Sequence, residues 1–147
     1  MADPLSIIGA ASALSNIIEV TCNVISTLGD LCDKWQNTEL MLLSIASQLT
    51  AFKSALVKIQ EWLSSPDNND PHHQLAMDLD ATLNYCQLLV TKVDDYMNGI
   101  IGNGQPDQLE IKQRFRALRD SKALEEVQRM IDRQTTALNL LLTASIW

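Results

Sequence analysis

The chain has 147 residues, of which 46% are hydrophobic and 20% are charged, with five Gly and four Pro. This composition predicts one folded domain that can bury a core, and it excludes a disordered or low-complexity chain. The formal net charge of −7 argues against a nucleic-acid-binding protein.

The charge is unevenly distributed along the chain. Residues 1–111 contain four Lys or Arg and fourteen Asp or Glu, whereas residues 112–147 contain seven and four. The C-terminal part is therefore locally basic. Its cations are not interleaved with aromatic residues, apart from Phe115, so no nucleic-acid partner is predicted.

The first predicted helix covers residues 4–28. Asp3 is a good N-cap, Pro4 suits the first helical position, and Gly29 is the first strong stop. Such a helix would measure ~38 Å, enough to cross a ~30 Å hydrocarbon core. Glu19, its single charge, limits the uncharged run to fifteen residues. That run is shorter than the ~18 residues expected of a constitutive transmembrane helix.

The polar residues of this helix follow one narrow line, because their spacing alternates between three and four. Apolar or small residues cover most of the remaining circumference. In a water-soluble bundle the line would face solvent and the apolar arc would sit in the core. In an assembly within a bilayer, the same line would face a shared lumen. The residues of this polar line are Ser12, Asn16, Glu19, Asn23 and Ser26, and Asp30 continues the spacing.

Residues 30–37 are expected either to extend the first helix with a kink or to form a short helical turn, with Trp35 as a packing anchor. A second helix over residues 38–64 is predicted to begin at the N-cap Thr38. Its apolar residues repeat every three or four positions, which predicts a bundle-forming seam. The seam residues are Leu42, Ile45, Leu49, Phe52, Leu56, Ile59 and Leu63.

After a loop rich in Pro, Asn and Asp, a third helix is predicted over residues 72–98. Its seam residues are Leu75, Leu79, Leu83, Cys86, Val90, Val93 and Met97. Residues 99–107 are predicted to form the next loop. Ile100 and Ile101 within it are either tucked under the end of the bundle, which we favour, or exposed at an apolar tip.

A fourth helix over residues 107–119 is predicted to begin at the N-cap Asp107. Its expected buried residues are Leu109, Ile111, Phe115 and Leu118. A second face has cations at spacings of four and three, and we call it the basic line. Its simplest interpretation is a solvated helix surface, and the functional alternative is contact with anionic lipid or a partner. The residues of this basic line are Lys112, Arg116 and Arg119.

The last helix is predicted over residues 121–146, with Ser121 as its cap. Its seam residues are Leu124, Val127, Ile131, Thr135, Leu138, Leu142 and Ser145, and Leu140 and Leu141 thicken the apolar side. The pattern as a whole predicts a single all-α domain over residues 1–147. We expect an antiparallel, up-and-down bundle of four to five helices with a hydrophobic N-terminal helix.

No catalytic constellation is predicted, and no cofactor or metal is expected. His72 and His73 are adjacent, so they diverge by ~100° on a helix and do not easily serve one metal. No phosphate-binding glycine loop and no Glu-x-x-His motif occurs in the sequence. Cys22, Cys32 and Cys86 have no paired spacing and suit a reducing intracellular compartment. The sequence therefore does not predict an enzyme.

The two ends of the chain resemble a known family. They are the opening MADPLSIIGAASALSNIIEVTCNVISTL and the later RFRALRDSKALEEVQRMIDRQTTALNLLLTAS. Both are similar to the HeLo-like N-terminal domains of fungal NOD-like receptors, proteins of the signal-transducing NTPase class. The family typically starts with MADPLS and closes on an LNLLL-like run, which here are Met1–Ser6 and Leu138–Leu142. The resemblance spans essentially the whole chain, although the middle helices match only in pattern.

The resemblance implies a bundle related to the HeLo cell-death execution domain and similar in plan to the four-helix membrane-permeabilising domain of necroptotic pseudokinases. It implies that the N-terminal helix targets the membrane once an attached receptor oligomerises. The implied partners are further copies of the chain, anionic membrane lipids and a C-terminal NTPase module. The implied location is the cytoplasm at rest and a cell membrane on activation. The membrane-targeting residues are then Pro4, Leu5, Ile7, Ile8, Leu14, Ile17, Ile18 and Glu19.

The resulting hypothesis is a pore-forming or permeabilising effector domain of programmed cell death, in a fungal receptor for innate immunity or heterokaryon incompatibility. The alternative is a non-lytic signalling adaptor, or homotypic interaction domain, that binds a like domain through a helix face and never enters lipid. A third interpretation is an inert stabilising cap of a larger receptor.

Overall fold

The fold is an all-α bundle, as the sequence predicts. A computed structural model describes residues 4–34, 40–64, 73–102 and 107–146, with the side chains of 4–8, 34, 73–78, 108, 145 and 146 left out. These ranges contain five helices and no strand. The helices are α1 (Pro4–Lys34), α2 (Leu40–Leu63), α3 (His73–Ile101), α4 (Gln108–Asp120) and α5 (Ala123–Ile146).

The four long helices form a ring around the core. Helix α1 packs against α2 and α3, and α5 packs against the same two helices from the other side. Within the described ranges, α1 does not contact α5 and α2 does not contact α3, so each of these pairs lies across a diagonal. The short α4 packs on α3 and α5.

Hydrogen bonds between α2 and α5 establish the direction of this pair. Gln128 Nε2 donates to Ser44 Oγ at 3.0 Å, and Gln48 Nε2 donates to Asp132 Oδ2 at 3.1 Å. The contacts follow the same order along both helices, so α2 and α5 are parallel. Direction still alternates along the chain, as expected of up-and-down connections. The order around the ring, however, is α1, α2, α5, α3 and not the order of the sequence.

The predicted seams form the core. Every seam residue of α2 from Leu42 to Ile59 is buried, as is every seam residue of α3 from Leu79 to Met97. In α5 the buried residues are Leu124, Val127, Ile131 and Leu138. Leu140 is 65% exposed, so it does not thicken the packed side of α5 as predicted.

The predicted end of α1 at Gly29 is wrong. The helix continues through this glycine to Lys34. Of the two predicted alternatives, residues 30–34 therefore extend the first helix and do not form a separate turn. Leu28 and Leu31 on either side are both buried. Their burial is worth ~1.5–3 kcal/mol each, which outweighs the ~1 kcal/mol penalty of a glycine inside a helix. The predicted Trp35 anchor and the caps Asp3 and Thr38 lie outside the described residues.

The predicted end of α3 at Asn98 is also wrong. The helix continues to Ile101, and Ile100 is buried, which confirms the tucked alternative for that residue. Gly102 ends the helix with a φ of +71°, and its N–H donates to the Asn98 carbonyl at 2.7 Å. This left-handed conformation is the usual role of a glycine just after a helix.

Helix α4 begins as predicted. The Asp107 carboxylate accepts a hydrogen bond from the Glu110 backbone N–H at 2.8 Å, so Asp107 is the N-cap. Phe115 is buried and Ile111 and Leu118 are half-buried, but Leu109 is 62% exposed and its predicted burial is wrong. Leu109 lies two positions before Ile111, and that spacing places it on the opposite side of the helix.

Ser121 ends α4 and is not the direct start of α5. Its N–H donates to the Ala117 carbonyl, and its hydroxyl donates to the Leu118 carbonyl at 2.6 Å. Lys122 follows with a φ of 65°, and α5 begins only at Ala123. The Ser121 hydroxyl also accepts a hydrogen bond from the Ala123 N–H at 3.4 Å, so the side chain of Ser121 caps the first residue of α5 as predicted, although Lys122 occupies the N-cap position.

Candidate membrane-interaction site

Helix α1 presents two opposite faces. One face is a strict seam of buried residues spaced alternately by four and three, which we call the α1 seam: Ala10, Leu14, Ile17, Thr21, Val24, Leu28 and Leu31. Each residue of the polar line follows a seam residue by two positions, or ~200° around the helix. The whole polar line, with Asp30, is exposed. The arrangement is the one expected of a helix in a water-soluble bundle.

Thr21 is the one polar residue in the α1 seam. Its side chain is fully buried, and its hydroxyl donates to the Ile17 carbonyl at 2.7 Å. The hydroxyl is therefore satisfied within α1 and needs no partner from another helix. The seam is consequently apolar toward α2 and α3.

Two exposed hydrogen bonds join α1 to its neighbours at one level of the bundle. Gln60 Nε2 of α2 donates to Ser15 Oγ at 3.0 Å, and Asn16 Nδ2 donates to Gln87 Oε1 of α3 at 3.1 Å. A hydrogen bond of this kind contributes about 0.5–1.5 kcal/mol, and less when it is exposed to water. The buried seam therefore supplies most of the binding energy of α1.

The predicted membrane-targeting residues do not form one surface. Leu14 and Ile17 lie in the core, Ile18 is half-buried and Glu19 is exposed. Pro4, Leu5, Ile7 and Ile8 lie in the first turns of α1, and their side chains lie outside the described set. A membrane could engage the helix as a whole only after the seam had separated from α2 and α3.

The basic line lies on α4 at one end of the bundle. Arg116 is exposed, Lys112 and Arg119 are half-buried, and Arg119 Nε lies 3.5 Å from the Asp120 carboxylate. Phe115 of the same helix lines a small apolar cavity together with Leu28, at the end where α1 finishes. Pro4 is 24 residues before Leu28, or ~36 Å along the helix axis. The structure therefore does not bring the basic line and the start of α1 together.

Neither Cys86 nor Cys32 is an activated nucleophile, because the pKa of each thiol is raised. Burial raises the pKa of the Cys86 thiol to about 12, and its S–H lies 4.0 Å from Gln134 Oε1. The pKa of Cys32 is raised by partial burial and, to a smaller extent, by the nearby Asp33. Among the described residues, no group of three His, Cys, Asp or Glu side chains is placed to hold a metal ion.

The apolar surface of α3 was not predicted. Tyr85 is 41% exposed and Leu88 is 71% exposed, although both lie in a helix whose seam is otherwise well buried. The signal was present in the sequence, because Leu88 follows the seam residue Cys86 by two positions and therefore points away from the core.

One helix in the described part of the chain, α2, is both long enough and apolar enough to cross a membrane. The central helix of a soluble bundle has the same properties, and α2 contributes seven buried residues to this core. Its length and composition therefore do not by themselves indicate insertion into a bilayer.

Comparison of the chain with protein-family models, curated proteins and solved structures finds no match. The likeness to HeLo-like domains therefore depends on the residues at the two ends of the chain.

Proposed function

We propose that this domain is a membrane-permeabilising effector of the fungal cell-death and innate-immunity type, in which α1 leaves the bundle when copies of the chain gather. The observation that carries the proposal is the division of α1 into a buried apolar seam and an exposed polar line. Such a helix can exchange its protein environment for lipid while its polar line faces the other subunits of an oligomer.

The free-energy cost of exposing the α1 seam to water makes the release of α1 conditional. Five large side chains of the α1 seam are almost completely buried: Leu14, Ile17, Val24, Leu28 and Leu31. Exposing them to water would cost ~1.5–3 kcal/mol each, or on the order of 8–15 kcal/mol in total. That total is as large as the free energy of unfolding of a typical domain, ~5–15 kcal/mol. Release of α1 therefore requires a bilayer or a partner that buries the same surface.

The remaining helices can stay associated without α1. Among the described residues, α5 contacts α2, α3 and α4, whereas α1 contacts only α2 and α3. Removing α1 exposes one side of the core but leaves a connected set of four helices. Departure of α5 would instead remove one of the two helices on which α4 packs, whereas α4 keeps both of its contacts when α1 leaves.

Oligomerisation lowers the free-energy cost of placing the polar line of α1 inside a bilayer. Glu19 at the middle of a bilayer would cost ~2.5–3.5 kcal/mol on insertion scales, and less if it faced a watery lumen shared by several copies. The small residues Gly9 and Ala13, four positions apart, allow helices to approach closely. The basic line adds attraction of ~1 kcal/mol per cation for anionic lipid.

A reversible cross-link between α1 and α3 tests the proposal. Asn16 and Gln87 already touch through their side chains, so an Asn16→Cys/Gln87→Cys pair can be joined by a cleavable bismaleimide. Cys22 and Cys32 are first replaced by Ser, and the buried Cys86 is retained because its raised pKa leaves little thiolate. We expect the locked protein to leave anionic liposomes intact, and we expect cleavage of the linker to restore dye release.

A matched lock on the opposite side of the bundle is the control. Ser44→Cys/Gln128→Cys joins α2 to α5, which also touch through their side chains, but leaves α1 free. We expect this protein to release dye whether or not its linker is cleaved. Equal leakage by the α1–α3 locked and cleaved proteins would contradict the release of α1.

The non-lytic adaptor is the second candidate function, and the exposed Tyr85 and Leu88 on α3 favour it. An adaptor would bind its partner through a helix face without any movement of α1. Liposomes that stay intact with every unlocked variant, at all protein concentrations, would favour this alternative.

A further inference from the structure

A groove of about 490 Å³ runs between the outer faces of α3 and α5. Tyr85 of α3 and Met130 of α5 provide its apolar side chains. Its charged lining residues, which all belong to α5 or the turn before it, are Lys122, Glu125, Glu126, Arg129 and Arg133. Leu88 lies one turn along α3 from Tyr85 and extends the apolar surface at 71% exposure.

The charges of this groove have a definite order. Two glutamates, Glu125 and Glu126, come first along α5, and two arginines, Arg129 and Arg133, follow them. All four side chains are exposed. In the described part of the chain, neither arginine has an ion-pair partner within 4.0 Å. The groove therefore presents unpaired charges of both signs beside an apolar floor.

We propose that the α3–α5 groove binds a second copy of this chain, in a two-fold symmetric dimer with the two α5 helices antiparallel. Reversing the helix direction places the acidic half of one α5 against the basic half of the other. A two-fold axis passing between positions 129 and 130 pairs Glu126 with Arg133 of the second copy, and the same contact occurs twice. Such self-complementarity is the requirement for a two-fold interface.

The apolar residues supply the centre of the same interface. With the axis at that position, Met130 and Arg129 of each copy lie near the middle, Arg129 faces Met130 of the second copy, and Tyr85 and Leu88 flank this pair. Aromatic and methionine side chains are enriched in such interfaces, and a charged rim around them sets the register. Leu88 and Tyr85 would become buried, which accounts for their exposure in the single chain.

This dimer leaves α1 free, because α1 lies diagonally opposite α5 and does not contact it in the described ranges. The inference goes beyond the proposed membrane activity and does not depend on it. Dimerisation is measured in solution without lipid, so each of the two proposals can fail without the other.

Charge reversal with rescue tests the interface. Sedimentation of the full chain, from micromolar to millimolar concentration, is compared for the wild type, Glu126→Arg, Arg133→Glu and the double variant. We expect the wild type to dimerise, each single reversal to raise the dissociation constant by about tenfold or more, and the double reversal to restore dimerisation. Circular dichroism confirms that these exposed substitutions leave the bundle folded.

A pair of leucines provides the apolar control. Leu88→Ser is expected to weaken the dimer, whereas Leu140→Ser, at a comparably exposed position near the end of α5, is expected to leave it unchanged. A wild-type chain that stays monomeric throughout the concentration range overturns the proposal. A dimer that both single charge reversals leave intact, or that the double variant fails to restore, overturns it as well.

Discussion

The guanidinium of Arg114 fills the space that a side chain on Gly102 would need. An added Cβ at Gly102 would collide with Nη1 of Arg114, and Gly102 has a φ of +71°. The same guanidinium donates to the Ile100 carbonyl at 3.3 Å, which satisfies an acceptor at the end of α3. Gly102 and Arg114 together define the corner at which α4, with its basic line, packs on the bundle.

Replacing Gly102 by Ala is expected to destabilise the domain. A left-handed conformation costs a non-glycine residue about 1–2 kcal/mol, and the Cβ would also displace Arg114. At about 2–4 °C per kcal/mol for a domain of this size, the midpoint of thermal unfolding should fall by several degrees. Circular dichroism during heating measures the change.

Gly99→Ala, three residues earlier and inside α3, is the matched control. Gly99 has helical backbone geometry, and a Cβ there would meet open space. Alanine is favoured over glycine in a helix by about 0.5–1 kcal/mol, so this variant should unfold at a slightly higher temperature. If the two substitutions shifted the midpoint in the same direction, the assigned role of Gly102 would be wrong.

Phe115→Ala is expected to detach α4 from the bundle. Phe115 is buried and lines a small cavity together with core residues of α1, α2, α3 and α5, and removing a buried Phe costs about 3–5 kcal/mol. Leu109→Ala on the exposed face of the same helix should change stability by less than about 0.5 kcal/mol. Urea unfolding compares the two variants, and equal losses would place the anchor of α4 elsewhere.

The sequence predicts the helices and their buried faces because apolar spacing alone determines which side of a helix is buried. The sequence-based prediction is wrong at two helix ends, where the glycines at 29 and 99 predicted that the helix would end. In both cases a buried residue beyond the glycine, Leu31 or Ile100, stabilises the longer helix by more than the glycine costs. Extending the seam spacing past Gly29 would have predicted Leu31.

The order of helices around the bundle could not be predicted. A seam specifies the face that is buried but not the helix that covers it, so α2 could as well have packed on α3 as on α5. The separation of the basic line from the start of α1 follows from this topology. The exposed polar line was predictable, because it lies opposite the seam at every position.

Glu19 is expected to affect membrane activity without affecting stability. Its side chain is exposed, so Glu19→Gln and Glu19→Lys should each change the free energy of unfolding by less than about 0.5 kcal/mol and leave helicity unchanged. In an inserted oligomer, the same residue would line the lumen, and reversing its charge should alter dye release or single-channel conductance. Equal activity of all three proteins would remove Glu19 from the site.

Cys86 is expected to make the domain less stable at high pH. Burial raises the pKa of its thiol from 9.0 to about 12, so the folded chain keeps a proton that the unfolded chain loses above pH 9. The stabilisation is complete below pH 9 and is lost as the pH rises toward 12. Between pH 8 and pH 10 the loss amounts to about 1 kcal/mol.

Cys86→Ala isolates this contribution from the other groups that titrate at high pH. The variant leaves a small cavity and should be less stable than the wild type at pH 8. Its free energy of unfolding in urea should, however, fall by about 1 kcal/mol less between pH 8 and pH 10, because the titrating thiol is absent. Parallel pH profiles for the two proteins would show that Cys86 ionises as readily in the folded chain as in the unfolded one, contrary to its position in the core between α3 and α5.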